Sequence, residues 1–313
     1  MRKQLHGVLI VDKPAGPTSH DVVAKLRRAL HTRAIGHAGT LDPAATGVLV
    51  VAVGEATKLS PFLTAQNKAY VATVAFGRAT TTLDAEGEVT EERPIPSELA
   101  VELDRARSGA SPSGALARAL AGELQRREQV PPAYSAIKVQ GRPVHERARQ
   151  GEVVELAPRP VEVASIDITG ATETTLTVRI EVSKGYYVRS FARDLGAALG
   201  VPAHLTSLRR IRSGPFSLDE AVGASSPEDA LRAALIPLPE AACRALPCAR
   251  LTTDGEQRAR HGKRLRATDF VSPPPPAAEL SAWLSERGTL VAVGVERSDG
   301  EYAVQRGFVE IPS

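Results

Sequence analysis

The run Val48-Leu49-Val50-Val51-Ala52-Val53, closed by Gly47 and Gly54, is β-rich and too short for an ordinary helix, so it predicts a buried strand. Gly7-Val8-Leu9-Ile10-Val11-Asp12 reads as a second strand, stopped by Lys13-Pro14-Ala15-Gly16-Pro17. Between the two, Thr18 or Ser19 caps a helix with Val22, Val23, Leu26 and Leu30 on one face and Lys25, Arg27 and Arg28 on the other. Thr57 to Leu63 reads as a short helix, and Lys68 to Gly77 as a β-rich run whose alternation is too weak to assign one wet face. Residues 91–128, rich in Ala, Leu, Arg and Glu, predict helices around Glu98–Arg107 and Ala115–Arg127, joined by a flexible link over 108–114. Thr175–Val182 alternates cleanly, whereas Val161–Ile168 shifts phase at Val163-Ala164, the mark of a bulge. A helix through Phe191, Leu195 and Leu199 follows. Beyond Leu238-Pro239 the pattern changes: Gly288–Glu296 and Glu301–Arg306 suggest a small β region, with Ser272–Pro276 as a stiff extended loop.

Composition narrows this picture only in part. A chain of 313 residues suffices for two domains, a large one over 1–238 and a small one over 239–313. With 42% hydrophobic and 24% charged residues it is an ordinary globular protein. The net charge is only +3, yet Lys25–Arg33, Arg142–Arg149, Arg209–Arg212 and Arg258–Arg266 gather the bases, which makes nucleic acid a partner to test. No apolar leader precedes Gly7 and no run reaches membrane-spanning length, so a cytoplasmic protein is expected, with no membrane partner. Cys243 and Cys248 cannot build a disulfide framework and lack nearby histidines for zinc, so they read as reduced, partly buried thiols. With no P-loop, no Gly-x-Gly-x-x-Gly and no metal-ligand cluster, no cofactor and no metal are expected.

The candidate chemistry lies in Gly36-His37-Ala38-Gly39-Thr40-Leu41-Asp42-Pro43-Ala44-Ala45-Thr46-Gly47. Taken alone, this segment is an ordinary turn or a rigid loop that presents one carboxylate. Its spacing, followed by Gly54-Glu55-Ala56-Thr57-Lys58, closely resembles the active-site signature of the bacterial tRNA pseudouridine-55 synthases, the TruB family. Further blocks agree in order. They are Asp12 to Ser19, Lys68-x-Tyr70 running to Gly87, Gln129 to Lys138 with Gly141 to Arg149, Ser183 to Ser190, and Ala203 to Arg210. The threonine spacing before Asp84 is not identical to the family's, and His145 stands where the family usually has tyrosine.

The resemblance implies an α+β fold, with a mixed, largely antiparallel central sheet flanked by helices (the pseudouridine synthase fold) and a small C-terminal PUA-like RNA-binding domain. It implies isomerisation of uridine-55 in the tRNA T-loop, with Asp42 as nucleophile or base, Arg189 orienting it, Tyr70 stacking on the uracil and Tyr187 taking the C5 proton. The resemblance further implies that His37 holds the opened loop, that Lys13 supports the Asp42 segment, and that Leu208, Asp84, Lys184 and Arg209 complete the substrate contacts. On a strand, Tyr187 and Arg189 would face the same way. Arg258, Arg260, Lys263 and Arg264 would face the tRNA T-arm. A monomer without a required protein partner is expected. A non-catalytic tRNA-folding protein and a nucleosidase using Asp42 and Asp84 are the rival readings. Attack at C6, attack at C1′ and abstraction of the ribose 2′ proton all remain open for Asp42.

Overall fold

The computed structural model describes residues 4–135, 138–139, 142–143, 156–275 and 279–309. The chain opens with β1 (Gly7–Lys13), α1 (Ser19–Ala29), β2 (Ile35–Ala38), β3 (Thr46–Val53) and, after a short 3-10 turn, α2 (Ser60–Thr64). Thr18 is the cap of α1. Its hydroxyl accepts from the Asp21 amide at 3.1 Å, and the Asp21 carboxylate accepts from the Thr18 amide at 2.9 Å.

Two compact units divide the chain: residues 1–42, 48–66 and 214–313 form one, and 43–47 with 67–213 form the other. In the first, β1 lies between β3 and the short strand Val222–Gly223, and β2 runs antiparallel to β3 with Ala38 opposite Val50. Val8, Ile10, Val48, Val50 and Ala52 form a core with Leu238 and Ala242 of the helix Leu238–Ala245, and with Leu290, Val293 and Phe308. The small β region foreseen near the C-terminus is a five-stranded sheet of its own, ordered Phe270–Ser272, Cys248–Leu251, Ser281–Leu284, Leu290–Glu296 and Tyr302–Gly307. Ala282 joins the core of the N-terminal strands, while its neighbour Trp283 points the opposite way into a cluster with Leu251, Phe270 and Tyr302.

The cysteines differ from the expectation of free thiols. Cys243 and Cys248 are joined in a disulfide. The helix carrying Cys243 ends at Ala245, and the turn at Leu246-Pro247 returns Cys248 to a Cα separation of 5.3 Å, within bonding range.

In the second unit, β4 (Lys68–Phe76) runs antiparallel between Thr175–Val182 and Ala203–Ser213, with Val163–Ala171 outside the former. The register slips between Val163 and Ser165, the foreseen bulge. Thr46 and Gly47, the first residues of β3, pair in parallel with Arg209 and Arg210 and belong to this unit. Gly47 cannot carry a side chain there: its φ is +98°, and a Cβ would lie 2.2 Å from the Arg210 carbonyl oxygen. Two predicted helices form, α3 (Ser97–Arg107) and α4 (Gly114–Leu124), and both pack on Val163–Ala171. The 108–114 link ends where the Glu102 carboxylate accepts from the first free amides of α4, Ala115 at 2.9 Å and Leu116 at 3.2 Å. Among the described residues no helix is long and apolar enough to cross a membrane.

Candidate active site

Asp42 sits half-buried on the loop from β2 to β3. The residue before it is fixed by the first residue of α1. The buried Ser19 hydroxyl accepts from the Leu41 amide at 2.9 Å and donates to the Leu41 carbonyl at 3.1 Å. One hydroxyl thus holds the peptide units on both sides of Leu41, which leaves the acid's backbone little freedom. Pro43 restricts φ on the other side. His37, on β2, meets the ring of His20 edge-on at 5.0 Å. Lys13 is fully buried and donates from Nζ to the Pro14 carbonyl at 2.8 Å, a placement that suits support from within.

In the second unit the helix Val188–Ala198 begins one residue after Tyr187. Arg189 is therefore in the first helical turn, not on a strand, and the period-two argument for its direction does not apply. Its orientation comes from partners instead. One terminal guanidinium nitrogen donates to the Thr82 carbonyl at 3.0 Å, the other to the Tyr134 carbonyl at 2.9 Å, and Nε lies 3.7 Å from the Asp84 carboxylate. Asp84 is itself fixed by the Thr82 hydroxyl and by the Glu86 amide at 3.1 Å. The turn that carries it folds tightly, since a Cβ on Gly87 would lie 2.5 Å from the Thr82 hydroxyl oxygen.

Adjacent Tyr186 and Tyr187 have different environments. The Tyr186 hydroxyl donates to Glu123 at 2.6 Å, and Arg126 closes on the same carboxylate. Burial and the neighbouring Glu123 charge push the Tyr186 phenol far above its usual range, so it stays protonated and structural. Tyr187 is only partly buried, and its backbone is held by Gln129. Of the two phenols, Tyr187 is the one not locked to Glu123.

The family profile for the N-terminal domain of TruB family pseudouridylate synthases matches residues 27–188, and that for the C-terminal domain of tRNA pseudouridylate synthase B matches 189–241. This chain belongs to the TruB family of pseudouridine synthases. It is 46% identical to tRNA pseudouridine synthase B of Thermobifida fusca (strain YX) over 85% of this chain and 89% of that one. It is 42% identical to tRNA pseudouridine synthase B of Dinoroseobacter shibae over 98% of this chain and 96% of that one. Among solved structures it resembles a chain of the archaeal box H/ACA sRNP Nop10–Cbf5 complex, 26% identical with a TM-score of 0.68, covering 98% of this chain and 88% of that one. A chain of a Cbf5–Nop10–Gar1 complex is 25% identical with a TM-score of 0.70, covering 97% and 84%.

The other residues assigned from the TruB resemblance are spread over the second unit. Tyr70 is buried on β4, opposite Ile180 and Arg210. Leu208 and Arg209 are half-buried on the neighbouring strand, where Arg209 donates to the Thr46 hydroxyl at 3.2 Å. Lys184 is exposed before the helix, and His145 lies outside the described residues. Three residues beside these positions carried no role in the sequence reading: Lys68, Gln129 and Glu123. Lys68 shares a face of β4 with Tyr70, and burial, reinforced by Arg210 and Lys184, lowers its ammonium to about 8. The Lys-x-Tyr spacing was the available signal for Lys68. Gln129 opens one of the matching blocks but lies about sixty residues from its partner, and Glu123, as distant from its own, gave no signal.

The C-terminal bases are less free than their clustering suggests. Arg260 pairs with Glu256 at 2.7 Å, and Arg264 with Asp299 at 2.8 Å and Glu301 at 3.2 Å. Arg258 and Lys263 line an open cleft of about 360 Å³ with Asp254, Gln257, His261 and Asp269.

Proposed function

We propose that this TruB-family pseudouridine synthase isomerises uridine-55 of the tRNA T-arm with Asp42 as the acid that does the covalent or basic work. The N1–C1′ bond breaks, the uracil turns, and C5 joins C1′. The uridine must first leave its stack, at a cost of about a few kcal/mol. Tyr70 stacks on the base, and His37 holds the opened loop. The C5 proton passes to the Tyr187 oxygen while the electrons of that bond stay in the ring, the phenol releases its own proton to water, and N1 takes one up from water. Arg189 serves the catalytic acid. Leu208, Lys184, Arg209 and Asp84 contact the nucleotide or its surroundings, and Lys13 supports the Asp42 segment. Residues from 239 onward bind RNA. The enzyme acts in the cytoplasm as a monomer, with no protein partner, metal or cofactor required.

The observation that carries this reading is the grip of Ser19 on Leu41, which holds Asp42 on a fixed backbone as a preorganised acid requires. The test mixes purified protein with a T-arm transcript in the absence of metal and nucleotide. Pseudouridine forms at the target position, and Asp42→Asn abolishes turnover while RNA affinity stays within a few-fold, because binding rests on distributed phosphate and shape contacts. Release of free uracil would identify a nucleosidase instead. Full turnover by Asp42→Asn would end the assignment of this acid.

A further inference from the structure

Gln129 is 2% exposed, and its carboxamide faces the backbone of one residue with both ends. Nε2 donates to the Tyr187 carbonyl at 3.1 Å, and Oε1 accepts from the Tyr187 amide at 2.8 Å. The residues after Gln129 continue the contact along the helix start. The Val130 carbonyl accepts from the Ser190 hydroxyl and from Arg193, both at 3.0 Å. The Tyr134 carbonyl accepts from Arg189. Tyr187 is the N-cap of its helix and makes no side-chain cap bond, at a point where a helix leaves its first amides without internal partners. A side-chain amide paired with both the N–H and the C=O of one residue fixes the peptide planes on either side of its Cα. It therefore fixes the direction in which that residue's side chain leaves the backbone. Arg189 has anchors of its own at Thr82 and Asp84, so loss of the Gln129 clamp falls first on Tyr187.

We infer that Gln129 is a positioning residue for the isomerisation, acting through Tyr187: its carboxamide aims the phenol at the C5 proton. The inference rests on the reading of Tyr187 as the group that takes that proton. Gln129→Glu keeps the shape and the acceptor for the Tyr187 amide, but it sets a carboxylate against the Tyr187 carbonyl. Gln129→Met keeps the length and loses both bonds. Misaiming by about an ångström can slow a step on the order of a hundredfold.

The experiment measures single-turnover tritium release from C5-labelled uridine in T-arm RNA at saturating enzyme, alongside RNA affinity. The same enzymes are run on RNA whose target uridine carries fluorine at C5, which has no proton to lose and reports the steps before proton removal. Both Gln129 variants are expected to slow tritium release at least about tenfold, with affinity within about twofold and fluorinated RNA converted at the parental rate. Parental tritium release, equal slowing on both RNAs, or loss of affinity in step with rate would overturn the proposal. Tyr187→Phe separates the two layers. Parental release by that variant would overturn the role of Tyr187 and the proposal with it, whereas slow Tyr187→Phe beside parental Gln129 variants would overturn the proposal alone.

Discussion

Replacing Arg189 by lysine keeps the charge and removes the fork. In the structure the two terminal nitrogens serve different carbonyls, Thr82 at 3.0 Å and Tyr134 at 2.9 Å, and Nε faces Asp84 at 3.7 Å. The side chain is 7% exposed, so water cannot take over for a lost donor. An ammonium is a point donor on a flexible stem. It can stay near Asp84 or reach one carbonyl, but it cannot reproduce contacts made from separated nitrogens. Each of these part-buried carbonyls, left unmet, costs up to about 1–3 kcal/mol. With the charge retained against Asp84 and both carbonyls unmet, the expected loss of stability is about 2–6 kcal/mol. Both carbonyls lie on segments that must stay in place for Tyr134 and the Thr82–Asp84 turn, so the rate should fall on the order of a hundredfold. Denaturant unfolding measures the first quantity, and single-turnover tritium release at saturating enzyme measures the second. Arg189→Lys with a parental midpoint and near-parental release would refute the argument and leave simple charge as the whole role of this side chain.

Four further outcomes follow from other parts of the molecule. Lys68 is lowered to about 8 in the folded protein, while the unfolded chain holds that proton to about 10.4, so the unfolded state binds more protons between these values. Stability should therefore rise with pH across that window, and Lys68→Met should flatten the rise in denaturation midpoints measured from about pH 7.5 to about pH 10.5. RNA affinity should fall with salt, and Lys263→Ala should reduce the slope by roughly 1, whereas Arg264→Ala, already paired with Asp299 and Glu301, should change it less in a salt titration. Reducing the Cys243–Cys248 bond should cost about 2 kcal/mol for so short a loop, visible as a lower melting midpoint with reductant that Cys243→Ser no longer shows. Truncation after Leu238 should give a chain without cooperative unfolding in near-ultraviolet circular dichroism, because it removes Ala242, Leu290, Val293 and Phe308 from the core built on β1 and β3.

This last point shows what the sequence pattern could and could not convey. Strand positions were legible where one residue type repeats locally: Val48–Val53, Thr175–Val182 and the phase slip at Val163 all formed as read. The core shared by the C-terminal sheet and the N-terminal strands was not legible, because it joins residues more than two hundred positions apart and each strand's own alternation is satisfied by any apolar partner. The disulfide escaped for a related reason. The pairing depends on a helix that stops at Ala245 and a turn that brings the chain back, and a five-residue spacing alone is compatible with either a bonded or a free pair.

The adjacent tyrosines set the same limit at the candidate site. Residue by residue, Tyr186 and Tyr187 are interchangeable: both precede the helix, both are phenols, and either could reach a base. What separates them lies far away in the chain. Glu123 takes the hydroxyl of Tyr186, and burial together with the Glu123 charge holds the phenol protonated, so this hydroxyl is committed to anchoring α4 to the junction. Gln129 takes only the backbone of Tyr187, which fixes where the residue stands and leaves its hydroxyl outside that contact. Motif spacing assigns Tyr187 from the resemblance, but the different environments of the two phenols are set by a carboxylate and a carboxamide about sixty residues upstream.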